Sequence, residues 1–184
     1  MIAAAARRHR AHSRETGSTA DPGGTVTDDD LRHLRRAIEL SARARESGDE
    51  PFGSLLVGPD GAVLAEDVNT VRTDRDISAH PELKLAVWAA RHLDPATSAA
   101  TTMYTSCENC AMCSAAMVSS GVGRLVFALD GRRLASFRGE QRPGLDLPAA
   151  DVFARASRTI AVEGPLLAEE ALVPHEGFWS HAQG

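Results

Sequence analysis

Three cysteines fall within seven residues, Cys107, Cys110 and Cys113 in "SCENCAMCSAAM", and the chain has no others. No other feature restricts the fold as much. A tight, odd-numbered set is not a disulfide framework. The opening residues have no secretory pattern, so reduced thiols in a cytoplasm are the expectation. Clustered reduced thiols point to a metal. The stretch from Cys107 to Ser120 reads as largely helical, stopped near Gly121. Cys110 and Cys113 are three apart on that helix, so both sulfurs face one direction. They lie in its first turns, where the helix dipole favours thiolate over thiol.

A second helix start lies upstream in "SAHPELKLAVWAA", residues 78–90. Ser78 is the expected cap and Pro81 suits a first turn, giving a helix over roughly 79–93. Glu82 is four residues from Ser78, one too many for a capping box. His80 can supply an imidazole to the two thiolates. One imidazole and two thiolates form a standard zinc set, and three protein ligands leave a fourth position for water. Cys107 is the extra thiol. As a fourth ligand it would close the site and make it structural. Its place at the end of an expected strand, one turn before the helix, argues for the open set of three. A cubane cluster in its usual form needs four thiolates.

Glu82 follows His80 by two residues and can reach the water without competing for the metal. Zinc lowers the pKa of a bound water toward ~7. A carboxylate beside the metal can then carry that water's proton to a ring nitrogen and on to a departing amine. The bland reading of Glu82 is an acid that complements the helix dipole. The downstream thiolates favour the proton carrier.

The rest of the chain supplies a scaffold. "VTDDDLRHLRRAIELSARARESGDE" reads as a helix capped by Thr27, with Asp28, Asp29 and Asp30 at its positive end. Leu31, Leu34, Ala37, Ile38 and Ala42 form its apolar stripe, and Gly48 stops it. "FGSLLVGPDGAVLAED" reads as a hairpin turning at Pro59-Asp60-Gly61. "TTMYT" and "RLVFAL" read as strands, residues 130–150 as irregular, and the last third as helix, strand, helix. Short strands alternating with helices give a layered α/β domain over residues 26–184. Residues 1–25, small, polar and basic, read as a disordered leader.

His80-Pro81-Glu82 followed by Asn109-Cys110-Ala111-Met112-Cys113 resembles the H-x-E and P-C-x-x-C signature of the cytidine deaminase superfamily. More narrowly it resembles the branch of guanine deaminases, small-base cytosine deaminases and bacterial tRNA adenosine deaminases. "PFGSLLV", "VNTVRTDRDISAHPEL" and "MYTSCENCAMCSAAM" carry the resemblance over roughly residues 28–130, and the "EGPLLAEEALVPHEGFW" ending is similar to that of the free-base members. The resemblance implies a three-layer α/β/α sandwich around a five-stranded mixed sheet, and a homodimer. It makes His80, Cys110 and Cys113 zinc ligands and Glu82 the proton shuttle. Asn69 matches the Asn that bonds the base. Pro81 stands where the family usually has Ala, and Asn109 where it usually has Pro, which leaves an amide hydrogen near the base. Asp130 is the nearest candidate for the further acid of guanine deaminases. Phe178 and Trp179 look like a pocket lid.

Charge bears on the substrate. The net charge is −5, and the first 14 residues hold four Arg and no acid, so the remaining body is more acidic still. Lys84 is the one lysine. Such a body is a poor match for a phosphate backbone. No apolar run approaches the ~18 residues that span a membrane. The leading expectation is a zinc-dependent deaminase of a free base or nucleoside: guanine, cytosine, or an isoguanine- or triazine-like ring. A tRNA adenosine deaminase is the alternative, and a zinc-stabilised binding module without catalysis a third.

Overall fold

The structure is a computed structural model, described here for residues 26–138 and 144–179. In chain order it runs α1 (Asp28–Glu46), β1 (Gly53–Val57), β2 (Val63–Val68), α2 (Val71–Asp74), α3 (Pro81–His92), α4 (Pro95–Ala99), β3 (Thr102–Cys107), α5 (Ala111–Ser120), β4 (Arg124–Leu129), α6 (Gly131–Arg138), α7 (Ala149–Phe153), β5 (Ala161–Glu163) and α8 (Ala168–Leu172), with a 3-10 turn at Val173–His175. The five strands form one sheet in the order β2-β1-β3-β4-β5. β1 pairs antiparallel with β2 and β3, while β3, β4 and β5 are mutually parallel. The sheet is therefore mixed, as expected.

Two apolar clusters cover its faces. On one, Leu34, Ala37 and Leu40 of α1 and Ala171 and Leu172 of α8 pack with Leu55, Tyr104 and Val126. On the other, Leu85 and Ala89 of α3, Met117 of α5 and Phe153 of α7 pack with Leu56, Met103 and Leu125. This is the three-layer α/β/α arrangement.

Local chemistry sets the element ends. Thr27 and Asp30 form a reciprocal capping box at the start of α1. Gly48, at φ +87°, follows the Ser47 cap at its other end. Gly121 takes φ +88° beyond α5 and ends it. Gly53 is fixed by crowding: a Cβ there would lie 2.4 Å from Leu40 Cβ and 2.6 Å from Ser41 N. Its bare face is what lets β1 lie against α1.

Two expectations are corrected. Residues 131–138, read as irregular, form α6, because Asp130 Oδ1 accepts the Arg133 N–H at 2.8 Å and caps a new helix. Ser78 does not cap α3; its hydroxyl and N–H both bind Asp76 Oδ1, and His80 occupies the cap position. The leader, residues 1–25, lies outside the described residues.

Candidate active site

Two helices begin side by side, and each begins with a metal-type ligand. His80 is the N-cap of α3 and Cys110 the N-cap of α5, both with extended backbone and neither using its side chain to cap. Pro81 at the first helical position removes an N–H that would have had no intrahelical partner. Cys113 lies one turn into α5. As α3 packs on α5, the three side chains converge. Cys110 Sγ is 3.5 Å from Cys113 Sγ; His80 Nδ1 is 3.9 Å from Cys110 Sγ and 3.6 Å from Cys113 Sγ. A tetrahedral zinc with ~2.3 Å bonds to sulfur and ~2.0–2.1 Å to nitrogen spaces its ligand atoms about 3.5–3.8 Å apart. The donor set therefore fits zinc in spacing and in kind. Cys113 is fully buried and Cys110 exposed, so the cluster has a closed side and an open one. Hydrogen bonding with Cys113 holds the Cys110 thiol well below its ordinary range.

Cys107 is not part of this group. It lies buried in the α1-side core, where burial pushes its thiol well up. Among the described residues, the atoms arranged to hold an ion are those of His80, Cys110 and Cys113.

Glu82, in the first turn of α3, is buried at 5% exposure directly beside the cluster. Its Oε2 lies 3.7 Å from Cys113 Sγ. Its Oε1 accepts from the Thr105 hydroxyl at 2.8 Å and the Ser54 hydroxyl at 3.1 Å. Burial pushes its carboxyl up from the ordinary carboxylate range, more than His80 and the Thr105 hydrogen bond pull it down.

Asn69 is fully buried after β2. Its N–H donates to Phe52 O at 3.0 Å, and its Oδ1 accepts the Val71 N–H at 3.0 Å. That bond fixes the amide's orientation and leaves Nδ2 without a partner among the described residues. A buried donor left so is costly unless a ligand meets it. The other sequence candidates sit differently. Asn109 turns its amide into the core, 3.6 Å from Met103 Sδ and 3.9 Å from Met117 Sδ, so its side chain is not brought to the cluster. Asp130 is engaged as the α6 cap. Trp179 is buried on the α1-side core and stacks on His175, with Phe178 edge-on to it.

Several residues around the site were not anticipated. Ser54 and Thr105 meet Glu82, yet "FGSLLV" and "TTMYT" read only as strand formers. A lone serine in an otherwise apolar run was the available signal. Glu108 joins three segments, its Oε2 accepting the Gly131 N–H at 3.0 Å and its Oε1 the Ala149 N–H at 2.9 Å. The Arg138 guanidinium lies 4.2 Å from the Trp179 ring centre and 4.9 Å from that of Phe52, and bonds Glu50 at 3.2 Å. No local sequence pattern announces such long-range contacts.

The cluster and the mixed sheet that carries it define a metal-dependent deaminase fold, and comparison with known proteins agrees. The cytidine and deoxycytidylate deaminase zinc-binding region matches residues 27–129. The chain belongs to that family. It is 36% identical over 159 residues to a probable cytosine deaminase of Schizosaccharomyces pombe, covering 84% of this chain and 94% of that protein. It is 32% identical over 102 residues to a tRNA-specific adenosine deaminase of Bacillus subtilis, covering 55% of this chain and 62% of that one. The structure of a guanine deaminase from Nitrosomonas europaea superposes with a TM-score of 0.67 at 22% identity, over 84% of this chain and 85% of that one. At that identity the last match speaks to the fold.

Proposed function

We propose that this protein is a zinc-dependent hydrolase that deaminates a small amino-substituted nucleobase or nucleoside, with His80, Cys110 and Cys113 as ligands and Glu82 as proton carrier. The observation that carries this reading is the convergence of His80 Nδ1, Cys110 Sγ and Cys113 Sγ at zinc-like spacing, with Glu82 Oε2 beside them. When bound, zinc supplies a water acidic enough to ionise near neutral pH. Glu82 then does the proton work. Its Oε2 takes the proton from the attacking water and passes it to the ring nitrogen next to the reacting carbon. It then takes the water's second proton, from the hydroxyl now on the reacting carbon, and delivers it to the exocyclic amine as the C–N bond breaks, so that ammonia leaves and a carbonyl remains.

Asn69 is proposed to orient the base, donating from Nδ2 to a carbonyl oxygen or ring nitrogen. The acidic body and the match to the yeast cytosine deaminase over nearly its whole length favour a free base or nucleoside over tRNA. Among the described residues no helix is long and apolar enough to cross a membrane. We place the enzyme in the cytoplasm as a homodimer. In this reading Phe178 and Trp179 close over the pocket, while Asn109, turned into the core, and Asp130, engaged as the α6 cap, are assigned no substrate contact.

The test is ammonia release by the zinc-loaded protein across guanine, cytosine, isoguanine, an aminotriazine, their nucleosides and a tRNA anticodon stem-loop. Turnover of one or more free bases or nucleosides is expected. Turnover of the stem-loop alone would replace this reading with the tRNA one. No turnover at all, with zinc bound, would leave a zinc-stabilised binding module.

A further inference from the structure

We propose that Ser54 and Thr105 are positioning residues for Glu82, a hydroxyl clamp that fixes Oε1 and so assigns the proton work to Oε2. This rests on Glu82 being the proton carrier. The two residues are direct partners across the antiparallel β1–β3 pair. Gly53, the preceding residue, faces α1, where its missing Cβ is needed. The alternation of a strand then turns Ser54 to the opposite face, toward α3. Both side chains are fully buried. Two hydroxyls side by side inside a sheet are costly unless each finds a partner, and the Glu82 carboxylate is the partner they share.

The protons can be counted. Each hydroxyl has one to give. Thr105 Oγ1 faces three oxygens: Glu82 Oε1 at 2.8 Å, Ser54 Oγ at 2.9 Å and the Cys107 carbonyl at 2.9 Å. The carboxylate is the charged acceptor and takes the Thr105 proton most strongly. Ser54, at 3.1 Å from Oε1, then donates either to Oε1 or to Thr105. In both cases Oε1 is held from the sheet side. Oε2 accepts from neither hydroxyl and is the oxygen beside Cys113. A carboxylate free to rotate would offer either oxygen at varying angles, whereas this one is held to a single presentation.

Thr105→Val keeps the shape of the side chain and removes its hydroxyl. The expected result is a fall in kcat of roughly 10–100-fold, with KM within about twofold and zinc content unchanged. Ser54→Ala, which leaves the shorter bond in place, should cost less than about 10-fold, and the double variant less than the product of the two. Thr105→Ser should restore most of the rate. A Thr105→Val protein that folds, binds zinc and turns over as fast as the parent overturns the proposal. A crystal structure of the zinc-loaded Ser54→Ala/Thr105→Val double variant gives an answer independent of turnover. A rotated or multiply placed Glu82 carboxylate is expected, and an unmoved one overturns the proposal even if no substrate is found. Absence of turnover by the parent protein on every base would instead count against the proposed function.

Discussion

The Arg124 guanidinium grips the Asp30 carboxylate as a fork, Nη1 to Oδ1 at 2.7 Å and Nη2 to Oδ2 at 3.2 Å. The same carboxylate accepts from the Tyr104 hydroxyl at 2.6 Å and from the Thr27 N–H at 2.8 Å. One buried acid thus ties the start of α1 to β3 and β4. Burial alone would push its carboxyl up, but these bonds outweigh burial and hold it well below the usual carboxylate range.

Asp30→Asn should destabilise the protein by about 2–4 kcal/mol at pH 7, because it leaves Arg124 and Tyr104 short of a charged acceptor. The sign with pH follows from the lowered pKa. The contribution is present above the unfolded value near ~4 and is lost as pH falls through the folded one. Denaturant melts from pH 7 to pH 3 should show a steeper acid loss in the parent than in the variant. Parallel curves would contradict this role.

The cysteines should separate by function. Cys110→Ser and Cys113→Ser are expected to lose most bound zinc, because thiolates supply two of the three ligands. Cys107→Ala should keep stoichiometric zinc and lose only packing stability, about 1–2 kcal/mol. Metal analysis of the purified variants reads the difference, and loss of zinc from Cys107→Ala would revive a four-ligand site.

Glu82→Gln preserves shape and removes the ability to carry a proton. Turnover on the preferred base should drop by roughly 10²–10⁴-fold, the span of general acid–base catalysis. Zinc content should not change, since neither Glu82 oxygen is needed as a ligand. A variant retaining full activity would strip Glu82 of its role.

Asn69→Ala removes the donor held ready by the Val71 N–H. The expected effect is a fall in kcat/KM of about 10–100-fold, as for a lost hydrogen bond in a desolvated site. Part of the loss should reflect a loosened start of α2, which a melting curve will reveal. Unchanged kcat/KM would remove Asn69 from base recognition.

Much of this was readable from residue types and spacing, for physical reasons. The zinc set is local: two cysteines a turn apart and a histidine at a second helix start converge once two helix N-termini meet. The Thr27 cap and the Gly48 and Gly121 stops are local too. What escaped depends on distance in the chain. Ser54 and Thr105 are separated by 51 residues, and only strand pairing makes them one device. Asn109 was expected to offer an amide hydrogen near the base, but its side chain fills a gap between two methionine sulfurs. Asp130 in "LDGRR" reads as a turn residue or as a pocket acid, and the tertiary structure uses it as the cap of α6.

Gly53 carries a consequence for assembly of the chain itself. A one-residue slip of β1 would exchange the two sides of that strand. A residue with a Cβ would then replace Gly53 against α1, at the place where Leu40 and Ser41 leave no room. The backbone contact therefore works as a keyway: it admits the glycine and penalises a one-residue slip that would carry Ser54 away from the Glu82 layer.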